Sequence, residues 1–107
     1  MADFYNIDSI ENAIELADEG VLEAIYLFPI QFGGEEEMFN VAFVPEGISE
    51  IKAEIDDFVE KLLIDGLAAS YECNIDRKEN SVVPSKLTIV VKNDKDEVIF
   101  NNDINIW

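Results

Sequence analysis

The sequence contains no histidine, a single cysteine (Cys73), three prolines, five glycines and only 7 Lys plus Arg among 107 residues. Each shortage removes a class of chemistry. Without histidine there is no Ser-His or Cys-His catalytic pair, no His-containing zinc site and no zinc-protease helix motif. One cysteine supplies neither an internal disulfide nor a multi-cysteine zinc cluster. No cationic cluster lies near Cys73 to lower its pKa, so it reads as a packed core side chain rather than a reactive thiol. Long apolar runs are also missing. The most apolar stretch, Val21 to Phe32, is 12 residues interrupted by Glu23, Pro29 and Gln31, too short and too polar to cross a bilayer. The first 30 residues carry no basic leader segment, and the expected setting is cytoplasmic, away from membranes.

What the chain does have is acid. It carries 24 Asp plus Glu, for a net charge of −17. A surface that repels phosphate cannot hold nucleic acid or an anionic bilayer by counterion release, so direct binding to either is excluded. Acidity alone would suggest disorder, but 49% of residues are hydrophobic and 10% aromatic, enough to build a core. At this length the chain is one domain, residues 1–107, with about two-thirds of its extended surface available for burial.

Asp8 or Ser9 caps a first helix, with Glu11 as the second half of a capping box behind Asp8, and with Ile10, Ala13, Ile14 and Ala17 on one face; Gly20 stops it. Val21 to Phe32 and Glu36 to Val44 read as a β-hairpin reversing at Gly33-Gly34, with Pro29 marking a bulge or an edge. Apolar residues of both parities (Phe39, Val41 and Phe43 against Met38, Ala42 and Val44) call for cover on both faces or a second subunit. After the Pro45-Glu46-Gly47 turn, Ser49 caps a second helix whose apolar stripe is Ile48, Ile51, Ile55, Phe58, Val59, Leu62 and Leu63, ended by Gly66. Tyr71, Cys73 and Ile75, then Leu87, Ile89 and Val91, then Val98, Phe100, Ile104 and Ile106, give three strands of period two. The order α-β-β-α-β-β-β predicts an α+β fold, a mostly antiparallel five-stranded sheet with two helices mainly on one face.

The acids are unevenly spread. Residues 1–51 hold 12 acids and no base, while residues 52–107 hold 12 acids and all 7 bases. On the second helix Glu46, Glu50, Glu54 and Asp57 follow a helical course that stacks carboxylates along one flank, and only Asp57 and Lys61 offer a compensating i, i+4 pair. Glu35, Glu36 and Glu37 crowd the expected hairpin tip, and Glu11, Glu15, Asp18 and Glu19 lie on the first helix. Solvation explains such residues singly. Repulsion along one helix flank is a cost that folding does not require.

Catalysis is not expected. Paired carboxylates would need a shaped pocket, and Gly33-Gly34 lacks the Lys-Ser/Thr of a phosphate loop. The run Asn93 to Glu97 has oxygen ligands but not the glycine and twelfth-position Glu of a calcium loop, so it reads as a polar turn; no cofactor and no metal are expected. The remaining use of a concentrated negative surface is attraction of a basic protein. The expected function is therefore a small binding protein, an immunity protein or inhibitor that blocks a nuclease-type toxin by charge-complementary occlusion. Its expected partner-binding residues are Glu46, Glu50, Glu54 and Asp57, then Glu35, Glu36 and Glu37. A phage-type mimic of nucleic acid would use the same device. In the contrasting reading the acids only maintain solubility, as in a salty cytoplasm or in a structural or regulatory homo-oligomer whose dimer contact buries Phe39 and Phe43.

Overall fold

A computed structural model describes residues 4–107 of the chain. The fold is α+β. It comprises α1 (Ile10–Asp18), β1 (Leu22–Tyr26), β2 (Val41–Pro45), α2 (Ile48–Ile64), β3 (Ser70–Arg77), β4 (Pro84–Lys92) and β5 (Val98–Asn105), with single-turn 3-10 helices at Ile30–Phe32 and Met38–Asn40. The expected order of elements holds. The expected single five-stranded sheet does not, because β1 and β2 form one antiparallel pair and β3, β4 and β5 form a separate antiparallel sheet.

The division follows from which faces need cover. Along β2, Ala42, Phe43 and Val44 are all buried, so this strand cannot lie in a sheet with one face in water. The face bearing Ile25, Ala42 and Val44 joins a core with Val59 of α2 and with Tyr71, Leu87, Ile89, Val91 and Ile104 of the larger sheet. The opposite face, with Leu22 and Phe43, packs against Ala13 of α1 and against Phe4, Ile7 and Val83. The strand pair is thus a middle layer. The larger sheet alternates more and less buried positions, reaching full exposure on the outward side of β3 and half-burial on that of β4, which is the pattern of one packed and one more solvated face.

Ser9 caps α1, its hydroxyl accepting from the Asn12 N–H; Glu11 therefore does not complete a capping box with Asp8. Gly20, at φ 80°, makes the left-handed exit expected of a helix stop. At α2 the cap is Gly47, at φ 97°, and not Ser49, whose hydroxyl instead donates to Glu23 Oε2 at 2.6 Å. Glu23 on β1 competes successfully for that hydroxyl and ties α2 to the middle layer. Val98 also departs from its expected inward parity. A register shift between Val91 and Lys92 sets Val98 opposite Lys92 and leaves it exposed.

The largest local departure lies between β1 and β2. Glycine 33 and 34 do not make a tight hairpin; residues 27–40 form a closed loop organised by Asn40. That buried side chain accepts from the Phe28 N–H at 2.8 Å and donates to the carbonyls of Phe28 (2.8 Å) and Glu35 (3.0 Å). Pro29 sits outside the strand as the cap of the first 3-10 turn, and its carbonyl accepts from the N–H groups of Phe32 and Gly34. A Cβ at Gly34 would run into the Phe28 carbonyl oxygen, so only glycine closes the loop in this way. At the other end of the chain, Trp107 stacks edge-on to Phe4 and Tyr5 and donates Nε1–H to the Val83 carbonyl at 3.3 Å. The last strand is tied down by this contact.

Candidate functional site: the outer and inner faces of the second helix

Helix α2 carries charge on two faces, in opposite circumstances. On the outer face Glu50, Glu54 and Asp57 are exposed; Glu46, expected in the same row, is exposed as well but lies in the turn before Gly47, outside the helix, and none of the four belongs to an ion pair among the described residues. Glu50 lies in the first helical turn, where the positive pole of the helix favours a carboxylate. Glu54 and Asp57, further along, have no such compensation. Beside them the side chains of Ile51 and Phe58 are exposed, Phe58 at 48%. The ring of Phe58 rests on Phe100 of β5, at 5.4 Å between centroids, and a shallow groove there is lined by Glu54, Ile55, Phe58 and Phe100. The expected apolar stripe of α2 is therefore only partly core. An aromatic left beside carboxylates is the composition of a binding anchor with a charged rim.

The register of the middle layer extends this acidic surface. Pairing of Leu22 with Pro45 brings the end of α1 to the same end of the layer as Glu46. Asp18, Glu19 and Glu46 thus lie towards one end of the β1–β2 pair, although α1 and α2 pack against opposite faces of it. Helix α1 finishes in Asp18 with Glu19 as its cap and has no basic residue in its last turn. Carboxylates at that pole oppose the helix dipole and cost stability. Glu35, Glu36 and Glu37 are exposed as well, but they lie on the loop at the far end of β1 and β2, and the fold does not bring them to the α2 row.

The inner face of α2 holds a site that periodicity alone did not single out. Lys52 and Asp56 are buried, at 3% and 6% exposure. Lys52 Nζ donates to Asp56 Oδ2 at 2.7 Å and to the Tyr71 hydroxyl at 3.1 Å, and that hydroxyl donates to Asp56 Oδ1 at 2.6 Å. All three groups are satisfied, as buried polar groups must be. Burial, then the hydrogen bond to Asp56 and its charge, hold the Tyr71 phenol well above its ordinary pKa, so it stays protonated. A signal for this site was present: Lys52 and Asp56 are four residues apart and fall within the stripe of Ile48, Ile55, Val59 and Leu63. Polar residues at core-facing positions come in partnered sets.

Cys73, next along the inward face of β3, is half-buried and packs against the main core. Burial pushes its thiol up to about 11, with Lys52 opposing and Asp56 assisting. A protonated thiol is a poor nucleophile. The turn at Asn93 is held by its own side chain, whose Oδ1 accepts from the N–H groups of Lys95 and Glu97. Among the described residues no three Cys, Asp or Glu side chains converge as a metal site would require, and no helix is long and apolar enough to cross a membrane. Of the two aromatics expected at a dimer contact, Phe43 is covered within its own chain, while Phe39 is 74% exposed.

Compared with protein-family models, with curated proteins and with solved structures, the chain matches none.

Proposed function

We propose that this chain is a non-catalytic binding protein that neutralises a basic protein partner in the cytoplasm, acting as an immunity-type inhibitor that occludes the nucleic-acid site of a nuclease toxin. The observation that carries the reading is the outer face of α2. Glu50, Glu54 and Asp57 stand unpaired beside the exposed Ile51 and Phe58. Aromatic and aliphatic area supplies affinity there, and the carboxylates supply orientation and association rate. The uncompensated acids at the end of α1 support the same reading, since they weaken the fold and join the same negative field. Glu35, Glu36 and Glu37 form a separate acidic patch and are not part of the principal docking surface.

The test is co-purification of the tagged chain with basic proteins encoded beside it, followed by association kinetics with the purified partner across ionic strength. Association falls steeply with salt in this account. It drops at least tenfold when Glu50, Glu54 and Asp57 are all changed to Lys. Salt-independent binding, or failure to bind any basic protein, removes the proposal.

A further inference from the structure

On the flank of α2 turned towards the 27–40 loop there is a cleft of about 570 Å³, within the ~300–1,000 Å³ of small-molecule sites. Three aromatic rings stand on it: Phe28, Phe32 and Tyr71. The two phenylalanines meet Tyr71 edge-on, at 5.8 Å and 88° for Phe28 and at 5.2 Å and 62° for Phe32. Leu63 and Ile64 of α2 add aliphatic wall, and Glu60 contributes a carboxylate.

Rings set at steep angles to one another present π-faces from several directions, an arrangement suited to a cation. Two of the three residues are anchored by hydrogen bonds, buried at Tyr71 and part-buried at Phe28. Tyr71 is fixed through its hydroxyl by Asp56 and Lys52, and the backbone of Phe28 is gripped on both N–H and C=O by Asn40. Charge agrees with this geometry. The ammonium of Lys52 beneath Tyr71 is cancelled by Asp56 at 2.7 Å. Glu60 makes no ion pair among the described residues and is bridged only by Gln31, at 3.3 Å. The local balance is therefore one negative charge beside an aromatic wall.

We propose that this cleft binds a small organic ammonium ion with an apolar body. The rings of Phe28 and Phe32 flank the cationic head, held in place by the buried Tyr71 behind them; Glu60 supplies the counter-charge after releasing Gln31, and Leu63 and Ile64 cover the apolar part. The proposal does not depend on the inhibitor reading, which uses the opposite flank of the helix.

The experiment is a nuclear magnetic resonance titration of the isotope-labelled full chain with choline and with its neutral isostere 3,3-dimethylbutan-1-ol. Choline is expected to give saturable shifts centred on Phe28, Phe32, Glu60 and Tyr71, and to bind about tenfold more tightly than the isostere. Phe32→Leu, which keeps apolar volume and removes the ring, weakens choline about fivefold and leaves the isostere within twofold. Glu60→Gln weakens choline alone, and its site at the surface keeps the test decisive should Phe32→Leu not fold. Reversal of Glu50 and Glu54 to Lys leaves choline binding within twofold at physiological salt while slowing association with a basic protein, so the two proposals fail separately. Equal binding of choline and the isostere, shifts spread over the acidic surface, or indifference to Glu60→Gln overturns the assignment.

Discussion

The two faces of α2 treat the same functional groups in opposite ways. Inside, Lys52 and Asp56 are buried and each of their polar side-chain atoms has a hydrogen-bond partner. Outside, Glu50, Glu54 and Asp57 are exposed and none is ion-paired among the described residues. A charge removed from water must be answered by a neighbour, because desolvation costs several kcal/mol per ion. A charge left in water need not be, and its local cost is a few tenths of a kcal/mol. The inner face is therefore constrained by folding. The outer face is free to serve recognition.

Breaking one partner of the inner pair gives the largest effect. Lys52→Met or Asp56→Ala alone is expected to lower unfolding free energy by about 3–5 kcal/mol, because each leaves an uncompensated buried charge. The triple change Lys52→Met, Asp56→Leu and Tyr71→Phe recovers most of that loss, and urea denaturation of the variants measures both values. Next in size is Tyr71→Phe. It strips a 2.6 Å hydrogen bond from Asp56 and is expected to cost about 1–3 kcal/mol by the same measurement.

Alkaline pH sharpens the comparison without mutation. Folding raises Cys73 from its ordinary 9.0 to about 11 and holds Tyr71 well above its ordinary 10.0. The folded state thus keeps protons that the unfolded chain releases. Their contribution is complete below pH 9 and is lost progressively as pH rises through about 11 and beyond. Thermal melts from pH 8 to 11 are expected to show a decline that Cys73→Ala and Tyr71→Phe each reduce.

On the acidic surface the sign reverses. Asp18→Asn and Glu19→Gln relieve repulsion at the negative pole of α1 and are expected to stabilise the fold by about 0.3–1 kcal/mol each, while slowing association with a basic partner. A gain in stability joined to a loss of binding is the signature of residues kept for function. Should the same variants lose stability, the acids at that end would be structural.

Sequence pattern carried the fold unevenly. The helical stripe of α2 and the period-two runs of β3 and β4 were legible because each is a local repeat reinforced by burial on one side. The β1–β2 connection was not. A pair of glycines reads as a reversal, whereas the chain turns on a long-range grip by the Asn40 side chain and on one steric requirement at Gly34. The split into two sheets was foreshadowed by the two-faced apolar pattern of β2, yet which elements cover each face depends on packing between distant segments. At the candidate site the α2 row was readable from spacing. That Asp18 and Glu19 lie at the Glu46 end of the strand pair depends on the Leu22–Pro45 register, which no local pattern encodes. Lys52 and Asp56 were visible as polar residues on an apolar stripe, but their partner Tyr71 lies on another element and emerges only from tertiary packing.

In the proposed function the outer acids of α2 meet a basic surface rather than merely keep the chain dissolved. The most direct measurement compares Glu50→Gln/Glu54→Gln/Asp57→Asn with the unaltered chain, reading unfolding free energy together with the association rate constant for a co-purified basic partner at two salt concentrations. Stability unchanged to within about 0.5 kcal/mol, with association slowed severalfold at low salt and the difference narrowing at high salt, is the predicted result. Equal association rates for the two proteins at both salt concentrations would contradict it.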